Sequence, residues 1–499
     1  MAVTVDPYTV LGVSADASIE EIKAAYRRAA RRLHPDVNQN NPGAAVQFQD
    51  ITAAYEILTD AERKKAYDNE AARRQPDSDS MYFMLRVTPS KRAIVPLPEP
   101  QVVYLLAEIL PDPRAREQQQ RRESLLNLTL VLDHSNSMNG TRLDKVKVAA
   151  HQIIDQLTEQ DSLSVVTFND REEVIIPATY VTNKPALKAK ISMISASGGT
   201  EIFKGLSAGV DQNRRRLAPK LVNHVILLTD GNTFGDQDQC LELARTAAEQ
   251  GIGISAMGLG QEWNDEFLDE LASITGGNSQ YINSASAVVR FLNDHVRNLS
   301  NAFAERVRLS VAPDPDVQLE SAFKLAPHPQ PLTTNEGYIQ LGSLQANRLI
   351  SVLFQFQMPA NMTPGFRSIA RLAASGDILS NRQQNFHAFS DISLEITEDP
   401  PPEDPPMAIL DALGKLTLYR MQERAQEALE SGDIKEATRR LENLATRLLA
   451  MGEEELASQA MAEARRVAHT SNLSDKGRKT LKYQTRSLLL GPTTIEDVS

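Results

Sequence analysis

The pentapeptide Asp133-His134-Ser135-Asn136-Ser137 has the side chains to hold a metal ion. It closes an apolar run, residues 126–132, that reads as a buried parallel strand. Period-two spacing turns Asp133, Ser135 and Ser137 towards one point. One carboxylate with two hydroxyls suits a hard divalent cation such as Mg2+. Two later segments offer matching groups. Ser197-Gly198-Gly199-Thr200 places a hydroxyl on a glycine loop that opens a helix, and residues 224–231 (HVILLTDG) form a second apolar run ending in Asp230. Each piece alone is ordinary. A D-x-S-x-S array often caps a helix, GGT is a loop, and TDG is the end of a strand.

The elements that must position these groups are legible. After the first array comes a helix with Leu143, Val146, Ala150, Ile153 and Leu157 on one face. Strand, polar turn and helix begin an open α/β sheet, whose ligands sit at the carboxyl ends of strands. In this order the segments resemble the metal-ion-dependent adhesion site of von Willebrand factor type A domains, over residues 124–304. The resemblance implies that Asp133, Ser135, Ser137, Thr200 and Asp230 form the site. It implies Mg2+ as the ion, with Mn2+ or Ca2+ as alternatives. The hydroxyls would bind directly or through water, the aspartates through water, and an acidic residue of a partner would complete the octahedron. Asn136 stands where that family usually has glycine, a change in the loop that removes no ligand.

A second chemistry-bearing tripeptide is His34-Pro35-Asp36. It separates two helical patterns, the first with Ile22, Tyr26, Ala29 and Leu33 on one face, the second with Phe48, Ile51, Tyr55 and Leu58. Lys23, Arg27, Arg28, Arg31 and Arg32 fill the outer arc of the first helix against Glu20 and Glu21. With DPYTVLGV before it and AERKKAYD after it, this segment resembles the J-domain of DnaJ co-chaperones. The resemblance implies a DnaK-type ATPase chaperone as partner, triggered by His34, Pro35 and Asp36 and docked on Lys23, Arg27, Arg28 and Arg31. The zinc-binding cysteine repeats and the Gly/Phe linker of full-length DnaJ are absent, so we expect a J-domain fused to another architecture.

The remainder sets that architecture. Residues 82–87 and 101–110 read as strands, and beyond residue 305 the period is two, as in Val307, Leu309 and Val311 or Phe354, Phe356 and Met358. A hairpin is marginal alone, so the early strands are expected to join the later sheet. The expected fold class is multidomain: an all-α J-domain (1–75), first strands (76–123), a doubly wound α/β type A domain (124–304) inserted in a β-sandwich completed by residues 305–397, a proline spacer (398–406), a helical domain (407–490), either tetratricopeptide-like or a bundle, and a disordered tail (491–499). A helix over 286–304 is expected to close the type A domain.

Composition limits the functions. Net charge is −12 over 499 residues, which argues against nucleic-acid binding. No stretch has the roughly 18 apolar residues of a membrane helix, and the start, MAVTVDPYTVLGV, carries no basic leader with an apolar core. The single cysteine, Cys240, permits no internal disulfide, so a cytoplasmic protein is expected, with Cys240 a packed thiol. The glycines of residues 251–260 lie within a strand and are not a nucleotide fingerprint. With no HExxH, P-loop or triad context, we expect no enzyme, and His134 is expected at the surface. The expected function is a targeted co-chaperone whose metal site selects a protein client. A scaffold with the J-domain as docking tag is the alternative, and a chelatase-like subunit a weaker one.

Overall fold

Apolar runs become central strands, alternating runs become half-buried ones, and each hydrophobic face finds a partner. The computed structural model describes residues 7–11, 18–33, 42–60, 63–64, 82–112, 124–233, 235–332, 338–379 and 386–488.

At the N-terminal end, α1 (Pro7–Leu11), α2 (Ile19–Leu33) and α3 (Pro42–Thr59) enclose a small core of Leu11, Ile22, Ala25, Ile51, Ala54 and Leu58. Tyr26 stacks on Tyr55 with ring centroids 4.1 Å apart, joining the two long helices.

The strands of the central sheet are β4 (Leu126–Asp133), β5 (Ser162–Phe168), β6 (Glu172–Tyr180), β7 (Val222–Thr229), β8 (Gly253–Leu259) and β9 (Ser279–Ile282). They run in the order β6-β5-β4-β7-β8-β9. All pairings are parallel except β5 with β6. Every residue of β4, β5 and β7 is buried, which requires cover on both faces. On one face lie α4 (Thr141–Gln156), α5 (Lys184–Ser192) and α9 (Ala285–Ser300); on the other, α6 (Ile202–Arg214), α7 (Gln237–Glu249) and α8 (Asp265–Ile274). Cys240 is buried in α7, and burial pushes its thiol pKa up. Gly258 lies so close to Trp263 that an added Cβ would sit 2.0 Å from the indole, so glycine in β8 serves packing.

Helix α9 ends at Ser300, four residues before the expected 304. Ala302 then enters the core under the central sheet while Phe303 enters a different one. Neighbours facing opposite cores require an extended backbone, and β10 (Ala302–Pro313) begins there.

That different core lies between two five-stranded sheets. The first orders β1 (Phe83–Pro89), β3 (Gln101–Pro111), β14 (Ile350–Met358), β11 (Gln318–Ala326) and β12 (Gln330–Leu332). The second orders β13 (Tyr338–Gln345), β10, β15 (Gly365–Ile378), β16 (Phe386–Ile396) and β2 (Ala93–Ile94), with β2 parallel to β16. Strand β3 pairs antiparallel with β14, from Ile109 opposite Ile350 to Gln101 opposite Met358. Val103, Leu105, Phe354 and Phe356 of the first sheet share this core with Leu309, Ile369 and Leu372 of the second.

Four helices follow: α10 (Met407–Glu430), α11 (Ile434–Ala450), α12 (Glu454–Thr470) and α13 (Asp475–Leu488). Leu418, Ala425, Leu441, Leu444, Leu448, Ala460 and Val467 are in their shared core. They do not stand apart behind the proline spacer. Ile409, Leu416 and Tyr419 of α10 pack on Leu106, Phe323 and Leu353, the outer face of the first sheet, and α13 docks on the central α/β unit through Lys482 and Asp265. Among the described residues no helix is long and apolar enough to cross a membrane.

Candidate functional site

Strand β4 lies between β5 and β7, so the chain leaves it first to one side and later to the other. Such a reversal opens a crevice at the carboxyl edge of an α/β sheet. Parallel pairing sets Leu132 beside Leu228, so the chain beyond β4 and beyond β7 emerges at the same edge, carrying Asp133 and Asp230.

Within the turn after β4, the backbone N–H of Ser135 donates to Asp133 Oδ1 at 2.8 Å. The hydroxyls of Ser135 and Ser137 are 3.0 Å apart, and Ser137 Oγ donates to Asp230 Oδ1 at 2.7 Å. A short 3-10 turn, Asn136–Met138, holds this spacing, and Met138 is buried beneath it. The 197–200 loop is tied to the same turn: Ser197 N–H donates to His134 O at 2.8 Å and Asn136 N–H to Gly198 O at 3.1 Å. Gly198 has φ +76°, and a Cβ there would lie 2.7 Å from Asp170 Oδ2, so the loop requires glycine on both counts. Thr200 lies against Gly231, whose added Cβ would be 3.2 Å from the threonine hydroxyl. Asp133, Ser135, Ser137, Thr200 and Asp230 thus come from three separate segments to one edge of the sheet.

Burial pushes the Asp133 carboxyl above its ordinary pKa, although hydrogen bonds from Ser135 and Thr229 favour its charged form. Two contributors were missed in the sequence. Thr229 Oγ1 donates to Asp133 Oδ2 at 2.7 Å. Arg142 reaches Asp230 Oδ2 at 2.5 Å from the first turn of α4. Thr229 immediately precedes Asp230, and that adjacency was the available signal; Arg142 had none. His134 is not the surface side chain expected: it is buried, with Nδ1 2.9 Å from Ser195 O. Both its ring and its backbone fasten the turn to the chain leading into the glycine loop.

The edge also faces an open groove, walled on its far side by the helical unit, that sequence reasoning did not anticipate. A cavity of about 1020 Å³ has Ser137, Thr200 and Gly231 on one wall and Leu429, Leu473 and Arg478 on the other. The helical unit is held there by an ionic clasp. Arg478 pairs with Asp265 at 2.6 Å, and Lys482 with Asp265 and Asp269 at 2.6 and 2.9 Å. Arg486 grips Asp269 through both terminal nitrogens, at 3.0 and 2.6 Å, and Tyr483 Oη donates to it at 2.9 Å. Lys479 Nζ donates to the carbonyls of Gln261 and Trp263 while lying 4.6 Å from the Trp263 ring centroid. Its burial lowers the ammonium pKa to about 8.

On the N-terminal unit, Arg27 and Arg31 of α2 are exposed and Lys23 is half-buried. His34, Pro35 and Asp36, and the side chain of Arg28, lie outside the described residues. The same holds for most of the AERKKAYD segment, of which residues 63 and 64 are described.

Comparisons with known proteins divide the chain in the same way. Residues 6–68 match the DnaJ domain family, and residues 127–295 the von Willebrand factor type A domain family. Residues 407–491 match the Sll0103-like C-terminal alpha-helical domain. The sll0103 protein of Synechocystis sp. is 29% identical over 380 residues, which cover 74% of this chain and 89% of that protein. The chaperone protein DnaJ of Halothermothrix orenii is 52% identical over 68 residues, 14% of this chain and 18% of its own length. Among solved structures, the von Willebrand factor type A protein from Catenulispora acidiphila superposes with a TM-score of 0.65 at 16% identity, covering 82% of this chain and 98% of that one. The chain carries a DnaJ domain, a type A domain and a C-terminal helical domain in one polypeptide.

Proposed function

We propose that this chain, in which a DnaJ domain is joined to a type A domain, is a non-enzymatic co-chaperone that stimulates a DnaK-type ATPase and selects its client through a metal-dependent acidic contact. Part of the reading is architectural. Residues 76–123 and 305–397 make one β-sandwich interrupted by the type A domain of 124–304, with the J-domain at 1–75 and the helical domain at 407–490. A reducing, cytoplasmic setting suits a chain whose single cysteine is a buried thiol.

The observation that carries the reading is the convergence of Asp133, Ser135, Ser137, Thr200 and Asp230. Their donor chemistry fits a hard cation. Ser135 and Ser137 place their hydroxyls 3.0 Å apart, close enough to share one ion, and the all-oxygen donor set suits Mg2+, with Mn2+ or Ca2+ as alternatives. Ser135, Ser137 and Thr200 would hold the ion, and the buried aspartates would orient the hydroxyls and bound water. The ion supplies a Lewis-acidic point for a partner's carboxylate. The basic face of α2, with Lys23, Arg27, Arg28 and Arg31, would dock the chaperone, and His34, Pro35 and Asp36 would trigger it. Complementary charge makes such docking fast and salt-sensitive.

The test is the steady-state ATPase of the cognate DnaK-type chaperone with wild type, His34→Gln and Asp133→Ala added. Stimulation should vanish with His34→Gln and persist with Asp133→Ala. Equal stimulation by wild type and His34→Gln would sink the co-chaperone reading.

A further inference from the structure

We propose that Arg142 is a built-in counter-cation of the metal centre, one that weakens the hold on the ion and sharpens the bound ion's demand for an acidic ligand. The inference rests on the metal-site reading above and assigns a role to a residue outside its ligand set.

Arg142 is placed where helix physics disfavours it. It is the second residue of α4, in the first turn, where the helix dipole repels a cation. What it gains there is Asp230. Its Nη1 lies 2.5 Å from Asp230 Oδ2 and 3.2 Å from Ser137 O. The Asp230 side chain is 0% exposed and that of Arg142 41%, so the guanidinium reaches inward from solvent to a fully buried carboxylate. The end of β8 makes room for it. Gly260 has φ +80°, and a Cβ there would come within 3.3 Å of Arg142 Nη2.

Every carboxylate oxygen of the centre therefore has an internal donor. Asp133 takes Ser135 N–H and Thr229 Oγ1; Asp230 takes Ser137 Oγ and Arg142. The two carboxylates carry two negative charges, and Arg142 cancels one. A divalent ion binding here meets one net negative charge and leaves the centre with one net positive charge. A partner's carboxylate neutralises that excess. Without Arg142 the ion would be fully neutralised by the two aspartates, held more tightly, and less in need of an external carboxylate. Burial of Asp230 strengthens this pairing, while solvent at the 41%-exposed guanidinium screens part of it.

The two affinities must then move in opposite directions, which loss of a merely structural residue would not produce. Full-length wild type, Arg142→Gln and Arg142→Lys would be titrated with Mn2+ by calorimetry. Acetate would then be titrated into each Mn2+-loaded protein, with water-proton relaxation reporting displacement of metal-bound water. Thermal melts would confirm that the variants are folded. Arg142→Gln should bind Mn2+ at least tenfold more tightly and acetate at least threefold more weakly, while Arg142→Lys should track wild type. Wild-type binding that Arg142→Gln leaves unchanged, or weakens for both ligands, would overturn the role of Arg142 and leave the metal site standing. No saturable Mn2+ binding by wild type, or binding unaffected by Asp133→Asn, would overturn both.

Discussion

Replacing Asp269 with alanine should release the helical domain from the type A domain. Asp269 receives both terminal nitrogens of Arg486, the Lys482 ammonium at 2.9 Å and the Tyr483 hydroxyl at 2.9 Å. The Arg486 side chain is only 5% exposed, so losing its carboxylate strands a buried guanidinium. Removing one partner of a buried pair costs about 3–5 kcal/mol. Lys482 keeps Asp265 at 2.6 Å and Arg486 keeps the Tyr419 hydroxyl at 3.1 Å, which places the loss nearer about 3. That weakens docking by about two orders of magnitude, at about 1.4 kcal/mol per decade. The chain's one tryptophan is a local reporter, since Trp263 lies beneath Lys479 and 5.8 Å from the Tyr483 ring. In urea, Trp263 emission of the variant should shift in an early transition that wild type lacks, with protease cutting within residues 398–406 at the same urea concentration. Coincident wild-type and variant curves would refute the argument. Acid should not reproduce the mutation. Burial opposes ionisation of Asp269, but Arg486 and Lys482 hold its pKa far below the ordinary carboxylate range. A depressed pKa gives stability that is present above the unfolded value of about 3.9 and lost only as pH falls through the folded one. The clasp should therefore survive at pH 5.

Mild acid should act at another place. Burial lowers the pKa values of His224, His295 and His328, that of His295 to about 4 from 6.5, so the unfolded chain binds their protons first and stability falls as pH drops below about 6.5, with His295 contributing roughly 3 kcal/mol by about pH 4. His295→Leu should make that part of the urea-stability profile shallower without abolishing it, and an unchanged slope would exclude His295 as a contributor. Gly258→Ala should cost about 1–3 kcal/mol by driving a methyl into the Trp263 indole; denaturation at the wild-type midpoint would show that the indole moves aside freely. Mg2+ at about 100 times its dissociation constant should stabilise wild type by about 2.7 kcal/mol and Asp133→Asn by little. Equal shifts of their melting temperatures would place the bound ion elsewhere.

Strands β4 and β7 were legible in the sequence because burial on both faces leaves no alternation to confuse, as residues 126–132 and 224–228 show. The grouping of Asp133, Ser135, Ser137, Thr200 and Asp230 came from the order of three segments that are each ordinary alone, matched by resemblance to the type A family. Arg142 was not legible, because its partner Asp230 is 88 residues away in the chain and is brought to it by the fold, not by any local spacing. The clasp was hidden for a similar reason. Arg478, Lys482 and Arg486 on one helix read as a solvated face until Asp265 and Asp269, also four apart, are set against them. Matching periods of opposite charge were the available signal. The short strands β2 and β12 owe their conformation to pairing partners, β16 and β11, and three residues or fewer carry no periodicity of their own. A histidine inside a polar turn reads as solvent-facing, but the fold brings a carbonyl of another loop against the His134 ring.

The pairing of β3 with β14 also imposes a timetable on synthesis. Strand β3 (QVVYLLAEILP) emerges from the ribosome long before its neighbour at residues 350–358 exists. At roughly 5–20 residues per second, about 250 intervening residues take some 12–50 s. Through that interval β3 has β1 to pair with, and its other edge presents an apolar, β-prone segment of the kind that recruits other chains. The intervening segment contains the whole central α/β unit, which can fold while the edge waits. A nascent chain arrested before residue 350 should therefore aggregate through β3, and one extended past residue 358 should not.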